Sequence, residues 1–134
     1  MTKTQQFVID NQAEIIAAGQ LLQKVCFGLA ADAGWHTDIK TGLPLQHDAG
    51  NRCMLIVSEV SEAFEGFRKN LNDDHLPTRK MAEVEFADTV IRVADTCGYY
   101  GFDLGTAIVE KAIYNMNRAD HKIEARLEEN GKKF

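Results

Sequence analysis

Proline breaks helices, and this chain has almost none. Only Pro44 and Pro77 occur in 134 residues, and both sit where the helical pattern lapses. Elsewhere apolar residues recur at three- and four-residue intervals, and strand-like alternation is nowhere sustained. The pattern predicts an all-α chain of four helices, packed as a four-helix-bundle-like domain. The first runs from about Thr4 to Ala33, with room for a break, and ends at Gly34. Its apolar residues include Phe7, Ile16, Leu21, Leu22, Val25 and Phe27. The second is capped by Asn51 and ends near Arg68, with a core stripe of Cys53, Ile56, Val57, Val60, Phe64 and Phe67. The third opens at Pro77-Thr78, runs to Cys97 and stops at Gly98. Asp103 caps the fourth, which reaches about Leu127 and leaves Asn130 to Phe134 loose.

The second and third helices each carry acidic residues three apart, in Glu59-Val-Ser-Glu62 and Glu85-Phe-Ala-Asp88. Residues at that spacing share a helix face, so like charges crowd together. Four positions after Glu59 and Glu62 stand Ala63 and Gly66, so neither acid has a local cation, whereas Asp88 has Arg92. Glu85, Asp88, Arg92 and Asp95 fall within an arc of roughly 80° on the third helix. Taken alone, that arc reads as a solvated acidic face. Repeated on two helices, the acids suit a hard divalent cation, which takes oxygen ligands. On the fourth helix Lys111, Asn115, Arg118 and Lys122 recur at i, i+4, i+7 and i+11, a stripe of donors with Tyr114 beside it. Cationic and amide donors in a row suit phosphate, although Lys122 reads better as part of a solvated face.

Length and charge bound the alternatives. A chain of 134 residues suits one domain, residues 1–134, with a small core. A net charge of −5 argues against a nucleic-acid-binding surface. Cys26, Cys53 and Cys97 lie far apart among apolar neighbours and read as free, mostly buried thiols of a reducing compartment. Neither a signal-peptide core nor an apolar run long enough to span a membrane is expected, which points to a cytoplasmic protein. Apolar residues on more than one side of the first helix, such as Ile15 with Ile16 and Leu21 with Leu22, predict a homo-oligomer.

The two acidic pairs, one helix-loop apart and followed by Lys111, Asn115 and Arg118, resemble the signature of the MazG-like all-α nucleoside triphosphate pyrophosphohydrolases. The resemblance covers Asn51 to Arg118. It implies Mg²⁺, with Mn²⁺ as a substitute, held by Glu59, Glu62, Glu85 and Asp88. It also implies that Lys111, Asn115 and Arg118 contact the triphosphate. The activity it implies is hydrolysis of a (d)NTP to monophosphate and pyrophosphate in nucleotide-pool cleansing or remodelling, with a purine deoxynucleotide such as dGTP as the substrate. Glu62, with Glu59 close behind, is the expected base for the attacking water. The resemblance further implies a dimer or a dimer of dimers. The family often has an additional Glu before the first pair; Ser58 stands there, and Glu65 has Lys69 as its own partner.

Other residues leave alternatives open. Trp35 and His36 suit a nucleobase contact, while Trp35 equally suits a cap on the core edge. Phe102, Asn11 and Gln12 are outside candidates for the base, and Asp73-Asp74-His75 reads as a solvated turn. A di-iron bundle would need Glu-x-x-His, and no His follows a site glutamate at that spacing. An HD-type phosphohydrolase is suggested by His47-Asp48 with His36, but that dipeptide lies in a loop. The non-enzymatic alternative is a helical dimerisation or regulatory module.

Overall fold

A computed structural model describes all of residues 1–134. The chain is all-helical, with six α-helices and no strand: α1 (Lys3–Asp10), α2 (Gln12–Asp32), α3 (Ala49–Lys69), α4 (Met81–Tyr100), α5 (Leu104–Met116) and α6 (Ile123–Leu127). A short 3₁₀ turn, Ala119–His121, precedes α6. Two isolated bridges, Thr37 with Pro44 and Asn72 with Lys80, pin the loops flanking α3. Packing divides the chain into two compact units, one of Met1–Leu21 with Asp103–Phe134, the other of Leu22–Phe102.

In the unit of Leu22–Phe102, α3 and α4 form an antiparallel hairpin. Arg52 near the start of α3 bonds Asp95 and Thr96 near the end of α4, while Gly66 near the end of α3 abuts Ala82 at the start of α4. A Cβ on Gly66 would lie 2.9 Å from the Ala82 backbone nitrogen, so only glycine permits this approach. The seam consists of Glu59, Ala63 and Gly66 on α3 and Ala82, Glu85 and Ala94 on α4, all buried.

This seam overturns the expected core stripe of the second helix. Phe64 and Phe67 are 64% and 65% exposed, Cys53, Val57 and Val60 are exposed as well, and only Ile56 is half-buried. Apolar spacing marks one face of a helix, but here α4 packs on the neighbouring face of small and acidic residues. Of the three free cysteines, Cys26 is buried, Cys97 partly so and Cys53 exposed.

Helix ends differ from expectation in ways local chemistry explains. α3 begins two residues earlier than Asn51, because Asp48 caps it by accepting from the Asn51 amide at 2.7 Å. The Pro77-Thr78 segment lies in the loop before α4. α4 passes through Gly98, which packs against Phe27, and ends at Gly101, whose φ of +68° supplies the left-handed cap. The long first helix is broken at Asn11, whose side chain and backbone amide both bond the Phe7 carbonyl.

In the unit of Met1–Leu21 with Asp103–Phe134, Asp103 caps α5 as expected, accepting from the Thr106 amide, the Thr106 hydroxyl and Gln20. Gly105 lies so close to the Ile16 carbonyl that a Cβ there would stand 2.4 Å from it. The expected fourth helix to Leu127 instead stops at Met116. Asn117 closes it by bonding the Ile113 and Tyr114 carbonyls, and the chain turns extended at Arg118.

α2 is long and apolar enough, by length and composition alone, to cross a bilayer, where the sequence pattern had suggested no such run. Leu21, Leu22, Val25 and Leu29 along it are exposed.

Candidate metal centre

The hairpin brings three of the four expected ligands together. Glu59 from α3 and Glu85 and Asp88 from α4 each present a carboxylate oxygen within 4.8 Å of the others. Glu59 and Glu85 are each only 8% exposed. Glu62, one turn after Glu59, stays exposed at the margin, where its charge still reaches Glu85.

Burial, then the charges of Glu62, Glu59 and Asp88, push Glu85 up to about 7. Asp88 also titrates above the usual aspartate range. Burial is the main cause and the Glu59 charge adds to it, while Arg92 opposes the rise. Arg92 was expected to pair locally with Asp88. Its Nε instead donates to Glu59 Oε1 across the seam, because Glu59 lies directly opposite. The arrangement is a cluster of hard oxygen donors with less positive charge than negative, and its donor set fits Mg²⁺ or Mn²⁺.

Asp73, which reads as part of a solvated turn, is buried. Its Oδ2 accepts from the His75 and Leu76 amides, and its charge contributes to the rise at Asp88. The available signal was its place in the short loop joining the two acidic helices. Glu65 bonds Lys69 at 2.7 Å and Arg68 at 3.0 Å, the local pairing that its spacing predicts.

Trp35 is 69% exposed, so it caps no core edge. His36 is buried with both ring nitrogens engaged, Nδ1 by His47 and Nε2 by Asp95, so no ring nitrogen remains for a nucleobase. Asp48 serves as a helix cap and His47 as the partner of His36, which accounts for the His-Asp dipeptide without a metal. Asn11 and Gln12 donate to nearby carbonyls of Phe7 and Ile9, while Phe102 is exposed and stacked on Tyr100.

The donor stripe survives only in part. Lys111, Tyr114 and Asn115 lie on α5, in the unit containing residues 103–134. The Lys111 ammonium sits 4.5 Å from the Tyr114 ring centre, and together with Leu104, Ile108 and Asn115 these residues border an open concavity of about 780 Å³. The Asn115 Oδ1 is buried without a hydrogen-bond partner. Arg118 and Lys122 are off the helix, and Arg118 forks onto Asp120 with bonds of 2.9 and 2.6 Å. The helix ends because Asn115 and Asn117 are weak helix formers near the last turn, which periodicity alone does not register. Compared with protein families, curated proteins and solved structures, the chain matches none.

Proposed function

We propose that the α3–α4 hairpin is the Mg²⁺ site of a nucleoside triphosphate pyrophosphohydrolase, an enzyme that converts a (d)NTP and water to a (d)NMP and pyrophosphate. The observation that carries this reading is the convergence of Glu59, Glu85 and Asp88 from two helices, with oxygens within 4.8 Å of one another. Crowded carboxylates repel and burying them is costly, so keeping the buried Glu59 and Glu85 beside the less buried Asp88 without a full set of cations favours a ligand-binding role over a structural one.

When bound, a divalent ion neutralises phosphate charge and stabilises the in-line transition state. The chain's own part follows from its geometry. Glu59, Glu85 and Asp88 would hold the cation, and Glu85, pushed up to about 7, would have to be ionised to serve as a ligand. Glu62, exposed one turn away, takes a proton from the attacking water. The resemblance implies Lys111, Asn115 and Arg118 as phosphate contacts; within their own unit Lys111 and Asn115 lie on α5, and Arg118 is engaged by Asp120. The exposed Trp35 and Tyr114 are candidate stacking surfaces for a base such as guanine in dGTP.

A homodimer or homotetramer accompanies this reading. Val57, Val60, Phe64 and Phe67 form an exposed apolar stripe on α3 that a second copy would cover. The same stripe favours a second reading, a dimerisation module without catalysis. A pyrophosphate-release screen over the canonical NTPs and dNTPs, with Mg²⁺, Mn²⁺ or chelator, separates the two. Metal-dependent release of pyrophosphate and monophosphate supports the enzyme. Diphosphate or free nucleoside as first product, or no turnover of any substrate, overturns it.

A further inference from the structure

Away from the acidic centre, a second polar cluster ties the loop between α2 and α3 to the end of α4. His36, only 8% exposed, places Nε2 2.7 Å from Asp95 Oδ1 and Nδ1 3.0 Å from His47 Nε2. The other Asp95 oxygen accepts from Arg52 at 2.8 Å, and Arg52 Nε donates to Thr96. The Tyr99 hydroxyl accepts from the His47 amide and donates to the Leu45 carbonyl, while the Leu45 amide donates to the His36 carbonyl. The His36 ring lies between Phe27 at 4.9 Å and Tyr99 at 5.4 Å.

The hydrogens in this cluster can be counted. His36 Nε2 faces a carboxylate held by arginine, so it carries a hydrogen and donates. The nitrogen-to-nitrogen contact between the two rings needs one hydrogen and no more. With both rings neutral, His47 Nε2 donates to His36 Nδ1. One added proton is tolerated, either on the far nitrogen of His47 or by reversing the bond so that His36 donates through both nitrogens. A second added proton sets N–H against N–H, with ring centres 5.1 Å apart and the Arg52 guanidinium alongside.

We propose that this loop is an acid-sensitive latch, closed while the His36–His47 pair holds at most one extra proton and released when both rings become cationic. The groups facing the pair are Phe27 from α2, the Trp35 backbone in the loop, Arg52 from α3, and Asp95 and Tyr99 from α4, with Cys26 of α2 near Asp95. Asp95 is the sole anion among them, and Arg52 shares it. Burial, Arg52 and His36 hold His47 below the usual histidine range, against the opposing pull of a hydrogen bond to the Trp35 backbone and of the Asp95 charge, and the net direction is the one the count requires.

The single tryptophan, Trp35, adjoins His36 on this loop and reports on it. The test follows Trp35 emission and amide exchange of the loop from mildly alkaline to acidic pH, alongside nitrogen NMR of the histidine rings. In the wild-type chain one ring gains a proton first, and uptake by the second coincides with loss of amide protection and a change in Trp35 emission. His47→Gln can donate to His36 but cannot titrate, so it should keep the latch closed to a pH lower by about one unit or more. Asp95→Asn weakens the sole anionic anchor and should open the latch at higher pH. Two rings titrating independently while the loop stays protected would overturn the proposal, as would an unshifted transition in His47→Gln. The ring measurements on the wild-type chain decide the matter even if Asp95→Asn does not fold.

Discussion

Replacing Glu85 with glutamine turns the electrostatics of the acidic centre into a measurable stability change. Glu85 is buried and sits at about 7 in the folded chain, against 4.5 when unperturbed. A carboxyl raised in this way favours the folded state in its neutral form. Its contribution is fully present below about pH 4.5 and is lost as pH rises through about 7. A rise of that size corresponds to at most about 3 kcal/mol, and water reaching the partly open site lowers it to about 1–3 kcal/mol. Glutamine keeps the volume and a donor for Glu59 but never ionises. In chelator, Glu85→Gln should match the wild type at about pH 4 and exceed its stability by about 1–3 kcal/mol at about pH 8. At this chain length that is a rise in melting temperature of roughly 3–5 °C per kcal/mol. Thermal unfolding followed by circular dichroism at the two pH values measures the difference. Mg²⁺ at about pH 8 should then raise the melting temperature of the wild type more than that of the variant. A variant less stable than wild type at the higher pH, or equally shifted at both, would refute the reasoning, since repulsion at Glu85 would not be the dominant effect.

Gly66→Ala should cost about 1–3 kcal/mol, because its Cβ would stand 2.9 Å from backbone at the tightest point of the seam, and urea unfolding reads the loss directly. If the proposed activity is present, Lys111→Ala should lower kcat/KM about tenfold or more, since a charge-assisted hydrogen bond contributes about 1.5–3 kcal/mol, while Lys122→Ala stays near wild type. Arg118→Ala should also lower turnover, and its melting temperature reports the loss of the Asp120 fork independently of the substrate. Light scattering at micromolar concentration should give a mass at least twice the 15.0 kDa of one chain, and Phe64→Lys with Phe67→Lys should reduce it to the monomer.

Features carried by local spacing were legible in the sequence. The all-helical class, the Asp103 cap, the Glu65–Lys69 pair and the facing of Glu85 with Asp88 all depend on residues three or four apart, whereas Glu62 stays exposed beside the buried Glu59. What the sequence left open depends on partners far along the chain. Arg92 has Asp88 one turn away, yet its mate is Glu59, which only the hairpin brings near. The apolar stripe of α3 is real as a pattern, but periodicity does not say whether such a stripe faces this chain or another surface. His36 offered two imidazole nitrogens on paper, and the fold engages both. Asp73 was hidden for a similar reason, since polarity in a loop does not reveal that the loop folds back over its own aspartate.

The two ion pairs that cross the α3–α4 seam have opposite polarity along the hairpin. Arg52 on α3 meets Asp95 on α4, and one stretch further on Glu59 on α3 meets Arg92 on α4. Sliding α4 by about one turn in one direction would bring Arg92 toward Arg52, and sliding it the other way would bring Asp95 toward Glu59. Either slip exchanges attraction for repulsion at a half-buried place, where like charges cost more than they do in open water. The seam's small side chains would tolerate such a slip sterically better than interlocked large ones would. The charges therefore act as a key with two teeth of unlike sign, fixing the alignment that the alanines and glycine leave loose.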